Sequence, residues 1–167
     1  MRRYRKEINI AGTITLGDRV RMTDPCYGMD VWCSGTVDNV LPGEYVPVGV
    51  ISNEGSWGER VAQIRVNHVD YPMTEPTEFV DFEVGVDSGQ AGIFDEPYYI
   101  DHHRDNDYDD PSSWYRKVCN ITLSSPGIGT IDGKGLVSSS GYGDGGYDAY
   151  VARNDDGKIV AIEIDYL

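Results

Sequence analysis

A chain of 167 residues with 28 acidic against 14 basic side chains has the length of about one domain, enough to bury a core without a metal or disulfide to hold it. Its formal charge of −14 argues against direct binding to DNA or RNA, since nucleic-acid affinity rests on lysine and arginine displacing counterions from phosphate; it favours cations and basic protein surfaces instead. No window approaches the ~20 apolar residues of a membrane helix, and three cysteines, Cys26, Cys33 and Cys119, cannot all pair within one chain, so a soluble cytoplasmic protein with no membrane partner is expected.

Residues 1–7 read as a basic N-terminal extension, because Arg2, Arg3, Arg5 and Lys6 crowd its start, and residues 8–167 read as a single β-rich domain. RVRM at 19–22 alternates as a strand does, and TDPCYGMDVW at 23–32 ends it, since proline removes a backbone donor and fixes φ. After the turn signal Pro42-Gly43, Val46, Val48 and Val50 predict a strand at about 45–52. EFVDFEVGVD places Val80, Phe82, Val84 and Val86 on one face with Asp81 and Glu83 on the other, predicting a half-buried strand over 78–86.

GQAGIF then runs into FDEPYYIDHH at 94–103, a second stretch with an acid, a proline, a tyrosine and another acid. At an offset of 71 it matches Asp24 with Asp95, Tyr27 with Tyr98 and Asp30 with Asp101. Internal duplication and independent use of one strand-ending chemistry both remain open. If the two stretches end neighbouring strands, Asp24 and Asp95 belong at the same end of the molecule, near Asp87 and Asp144, each accepting amide hydrogen bonds from its own turn.

DHHRDNDYDDP follows, with Asp105, Asp107 and Asp109 spaced as in the opening of a calcium-binding EF-hand loop; Asp110 instead of glycine at the sixth position and Arg116 instead of glutamate at the twelfth exclude that motif. A mobile, hydrated loop is expected there. Asp110 as N-cap and Pro111 as first residue predict a single helical turn around 111–117. At the C-terminus two alternating runs at 147–153 and 158–165 flank Asn154 to Gly157, the signal of a β-hairpin. With 20 glycines and eight prolines between short strands, the fold class expected is all-β: a single-domain antiparallel β-sandwich or open barrel with at most one or two short helical turns. Val80, Phe82, Val84, Val160, Ile162 and Ile164 are expected in its core.

Asp24, Asp87, Asp95 and Asp144 each lie beside glycine, proline or a strand end, where carboxylates can converge. Such a group suits Ca²⁺ or Mg²⁺; without metal, each aspartate holds a turn by bonding amides two residues on. The turn reading is preferred, and no cofactor is expected. Zinc is disfavoured, because no Cys-x-x-Cys occurs. Cys26 reads as a small buried residue in preference to a nucleophile served by His68. Neither SSSGYGDG nor GIGTIDG meets the requirements of a nucleophile elbow or a phosphate loop; Gly141, Gly143, Gly145 and Gly146 instead permit a tight bend in which Tyr142 and Tyr147 flank Asp144.

TDPCY, VGVDSGQAGIFD and VSSSGYGDGGYDAYVARNDDGKIVAIEID resemble the signatures of a family of small bacterial and bacteriophage proteins known as a domain of unknown function, over most of the chain from Gly17 onward. The resemblance implies a bacterial or phage source and a β-rich cytosolic domain, and implies no activity. The candidate binding residues are therefore Asp24, Tyr27, Asp87, Asp95, Tyr98, Tyr142 and Asp144. A candidate acidic interaction loop comprises Asp105, Asp107, Asp109, Asp110 and Trp114, bracketed by Tyr98, Tyr99, Tyr108 and Tyr115, with aromatics offering rigid contact area for a protein partner. The leading expectation is a non-enzymatic accessory protein that engages a basic protein surface. Two alternatives are a metal-dependent hydrolase or ligand-binding protein built on the aspartates, and a structural component of a larger particle.

Overall fold

Residues 4–167 are described by a computed structural model, in which alternation along the chain becomes thirteen strands and two helices. In chain order these are β1 (Tyr4–Asn9), β2 (Ile14–Leu16), β3 (Val20–Thr23), β4 (Gly35–Val37), β5 (Gly43–Asn53), β6 (Glu59–His68), β7 (Glu78–Phe79), β8 (Val84–Val86), β9 (Gln90–Asp95), α1 (Glu96–His102), α2 (Trp114–Thr122), β10 (Ile128–Ile131), β11 (Gly135–Ser139), β12 (Gly145–Arg153) and β13 (Ile159–Asp165). The larger sheet runs β1-β5-β6-β13-β12-β7, with β2 on β5 and β8 on β12; the smaller runs β10-β11-β9-β3-β4. Strands pair antiparallel throughout, and neither sheet closes on itself, so the fold is an open sandwich and not a barrel.

Ile14, Leu16, Val20, Met22, Ile64, Val84, Ile93, Leu136, Ile162 and Ile164 fill the space between the sheets. A second cluster, Phe94, Tyr98, Tyr99, Trp114, Val118, Ile131 and Val137, lies under the helices. Strand β9 joins the two clusters: Ile93 faces one and Phe94 the other, which is why all six of its residues are buried and its sequence is apolar without alternation.

The C-terminal hairpin forms across Asn154 and Gly157, with Gly157 at φ +78° and the Asn154 amide donating to the Lys158 carbonyl at 2.9 Å. Val84, Val160, Ile162 and Ile164 are fully buried, whereas Val80 and Phe82 are half-buried against the core. The strand expected over 78–86 is two strands. Both pair with β12, but Phe79 opposes Tyr150 and Val84 opposes Tyr147, so four residues on one side face two on the other and Val80–Glu83 loop out.

Helix α2 starts later than expected. Ser113 is its N-cap, accepting from the Arg116 amide at 3.0 Å, while the Asp110 carboxylate is occupied by the Ser112 amide and hydroxyl at 2.9 and 2.7 Å. Helix α1 was not expected at all; Pro97 sits in its first turn, where a missing N–H leaves no bond unmade. Of the basic extension at 1–7, Arg2 and Arg3 lie outside the described residues, and from Tyr4 onward the chain is strand β1, paired with β5. No helix among the described residues is long and apolar enough to cross a membrane.

Candidate functional site

Asp24 follows the last residue of β3 and is completely buried. Its Oδ1 accepts from the Cys26 amide at 2.8 Å and the Ser88 hydroxyl at 2.7 Å, and its Oδ2 accepts from the Asp87 and Ser88 amides at 2.9 and 2.8 Å. Four donors meet one carboxylate, which is what permits a charge to sit without solvent. The Asp-Pro-Cys-Tyr turn is thereby tied to the Val-Asp-Ser-Gly bend. From beneath, the Tyr99 hydroxyl on α1 donates to the carbonyls of Tyr27 at 2.6 Å and Asp24 at 3.2 Å.

Beyond this tie, residues 28–34 fold over the pairing of β8 with β12, where two glycines, Gly85 and Gly146, face each other. A Cβ on Gly85 would lie 2.3 Å from the Cys33 sulfur, and one on Gly146 would lie 1.4 Å from a Glu83 carboxylate oxygen. The missing side chains therefore make room for Cys33 and for Glu83. The Gly85 amide also donates to the Cys33 carbonyl at 2.7 Å. Next along the chain, Gly143 and Gly145 adopt φ of +113° and +158°, and the Tyr147 hydroxyl donates to the Ser140 and Gly143 carbonyls, closing the turn that presents Asp144.

These elements surround a cleft of about 660 Å³ lined by Tyr27, Trp32, Cys33, Glu83, Asp87 and Asp144. Trp32 stands at its rim, 85% exposed. Burial, and then the Asp87 carboxylate it faces, push the Tyr27 hydroxyl well above its ordinary range, so it remains a proton donor. None of the ion pairs among the described residues involves Glu83, Asp87 or Asp144.

Tyr27, Asp87 and Asp144 are thus brought together, with Asp24 as the tie behind them. The remaining candidates go elsewhere. Antiparallel pairing of β3 with β9 sets Val20 opposite Asp95 and Thr23 opposite Gly92, so Asp24 and Asp95 lie at opposite ends of the strand pair and the expected meeting does not occur. Asp95 instead accepts from the Gly17 amide at 2.8 Å, outside its own turn. Tyr142 turns toward β5 and β6, donating to Glu54 at 2.8 Å and lying edge-on to Trp57. Tyr98, Tyr99 and Trp114 are not surface residues: all three are buried, and the Tyr98 hydroxyl accepts from the Trp114 indole at 2.6 Å while donating to Asp132 at 2.6 Å.

Asp105, Asp107, Asp109 and Asp110 are exposed as expected, but the loop they form is internally bonded: Asp105 accepts from the Trp114 amide at 3.0 Å and Asp107 from the Asp109 amide at 3.0 Å. Cys26 is exposed and not the small buried residue expected, because its turn lies at the surface beyond β3; partial desolvation and the adjacent Asp24 charge still raise its thiol pKa, the opposite of an activated nucleophile. His68 packs edge-on against Tyr45 and Tyr71. Among the described residues no three His, Cys, Asp or Glu side chains are grouped closely enough to hold a metal ion.

Sequence reasoning missed Trp32, Glu83 and Ser88. Trp32 lay inside the stretch that drew attention for its acids, and a tryptophan between Gly28 and Gly35 was the available signal; Glu83 looked like the solvent face of a strand. No family model, curated protein or solved structure matches the chain.

Proposed function

We propose that this chain is an acidic, non-enzymatic binding protein that engages a basic surface of a partner protein through the cleft between Trp32, Tyr27 and Asp144. The observation that carries the reading is the set of three carboxylates, Glu83, Asp87 and Asp144, which come from separate segments, surround one cleft beneath an exposed tryptophan and pair with no cation of the described chain. A lysine or arginine side chain entering the cleft meets carboxylates at its head and the Trp32 ring along its stem. An exposed cation–π contact contributes ~0.5–1 kcal/mol and each surface ion pair about 0–1 kcal/mol, so one side chain binds weakly and a surface with several is required. The net charge of −14 speeds encounter with such a surface. The acidic loop supplies a second negative patch, although Asp105, Asp107 and Asp110 are engaged by their own loop. The motif resemblance is consistent with a bacterial or bacteriophage source and a cytoplasmic setting, and carries no role of its own.

Titration with a tri-lysine peptide, followed by tryptophan fluorescence, tests the reading. The Trp32 signal, identified by its loss in W32F, should respond saturably; the response should weaken as salt rises past ~0.15 M and in D87N/D144N. An equal response to the fully acetylated peptide would overturn it.

A further inference from the structure

Helix α2 has two working faces. Trp114, Val118 and Ile121 pack into the second cluster, while Tyr115, Cys119 and Thr122, at i, i+4 and i+7, form a separate stripe. Opposite that stripe lies the bend between β8 and β9, where Gly89 takes φ +70°. That backbone disfavours any side chain, and a Cβ built on Gly89 would meet nothing within 4 Å. The bend therefore leaves the space in front of the stripe open, as a cavity of about 420 Å³ that Tyr108 and Leu123 also line. Arg116 holds Tyr108 in place, lying over its ring at 4.8 Å and donating to its carbonyl at 2.9 Å.

Every residue lining this cavity is uncharged at neutral pH, in a chain that is 25% Asp, Glu, Lys and Arg. The Trp32 cleft, by contrast, is lined by three carboxylates. Gln90, at the base of the cavity, is satisfied from within: its Oε1 accepts from the Thr122 hydroxyl at 2.5 Å, and its Nε2 donates to the Ser88 and Tyr115 hydroxyls at 3.2 and 3.3 Å. Ser139 is different. Its hydroxyl makes no hydrogen bond with any described residue. The side chain is only half-buried, and among the described residues the one fully buried side-chain polar atom without a partner is Nε of Arg60. The Ser139 oxygen therefore keeps surface that a ligand can reach.

From this arrangement we infer that the cavity beside α2 binds a small neutral molecule with a flat aromatic body and one group that both donates and accepts hydrogen bonds, the chemistry of an aromatic amide. The volume and the mixture of apolar walls with a single free polar group are those of a small-molecule pocket. The aromatic body lies against Tyr108, Leu123 and the α2 stripe. The amide meets Ser139, whose hydroxyl offers one donor and two acceptor positions. A charged ligand would shed water here and meet no opposite charge in return. Asp87 lines the Trp32 cleft and Ser88 lines this cavity, so the two sites adjoin along the chain yet share no lining residue.

Three molecules of one shape and different charge test the assignment on the whole protein: benzamide, benzoate and benzylamine, at pH 7 and constant ionic strength. The Gln90 side-chain amide and the backbone amides of 88–90 and 122–123 report binding as NMR shifts. Benzamide should shift them saturably, with the weak affinity of a fragment, and the two charged molecules should bind at least about tenfold less tightly. S139A removes the polar contact and L123A trims a wall residue that is 76% exposed, so the fold tolerates both. Each should weaken benzamide about fivefold while leaving the Trp32 response to tri-lysine unchanged. Absence of a saturable shift with benzamide, equal binding of either charged molecule, or unchanged benzamide affinity in both variants would each overturn the assignment.

Discussion

Replacing Asp24 by asparagine keeps the shape of the side chain and removes one acceptor, which makes it a sharp test of whether this carboxylate is a tie or a ligand. Four donors converge on it in the wild type, from Cys26, Asp87 and both groups of Ser88. An amide nitrogen placed at Oδ2 would confront two backbone N–H groups. Placed at Oδ1, it confronts only the Cys26 amide, since the Ser88 hydroxyl can rotate and accept; the second orientation is the one the protein will adopt. One buried N–H is then unsatisfied and the other bonds lose their charge assistance, for a cost of about 2–4 kcal/mol. Asp95 provides the internal control. It accepts a single bond, from Gly17, that an asparagine oxygen can keep, so D95N should cost ~0.5–1 kcal/mol. Urea denaturation of the two variants against wild type, compared at unchanged slope, measures both. If D24N proves no more destabilising than D95N, the carboxylate is not the tie described here.

Three further outcomes follow from the same geometry. Glu163 on β13 is buried, and burial first, with Asp165 and Glu75 adding and Arg65 opposing, lifts its pKa to about 7. The folded state therefore holds this proton more tightly than the unfolded chain, so its contribution is complete below the unfolded value of ~4.3 and is lost as pH rises through about 7. E163Q should flatten stability between those limits and gain about 1–2 kcal/mol at pH 8, after allowing for solvent screening, in melts run across pH. The Arg21–Glu96 pair is buried at both ends, so R21M strands the carboxylate and should cost ~3–5 kcal/mol in denaturant, with R21M/E96M recovering a large part. G146A places a methyl where the Glu83 carboxylate lies; the flexible side chain swings away, so stability should change by less than ~1 kcal/mol while tri-lysine binding weakens.

What the sequence disclosed about this fold was whatever is written locally. The C-terminal hairpin was legible because alternation and Asp156-Gly157 sit within one short stretch, and the buried half of 78–86 because Val84 and Val86 alternate. The break inside that segment was invisible for a specific reason: the surplus opposite β12 is two residues, and an even insertion leaves the period-2 phase intact, so Val80, Phe82 and Val84 still point the same way. Strand direction is likewise not a local property. The likeness of TDPCY and FDEPYY suggested a shared location, and the antiparallel register of β3 with β9 sends the two acids to opposite ends. At the site the same division holds. Charge and glycine singled out Asp24, Asp87 and Asp144, but three of the four groups that satisfy Asp24 are backbone amides, which every residue but proline possesses and no sequence pattern marks. The fourth is the hydroxyl of Ser88, whose significance arises only once β8 and β9 bring the bend around it against the end of β3. A carboxylate can be read from a sequence; whether it serves as a ligand or as a tie is decided by donors that the fold delivers from sixty residues away.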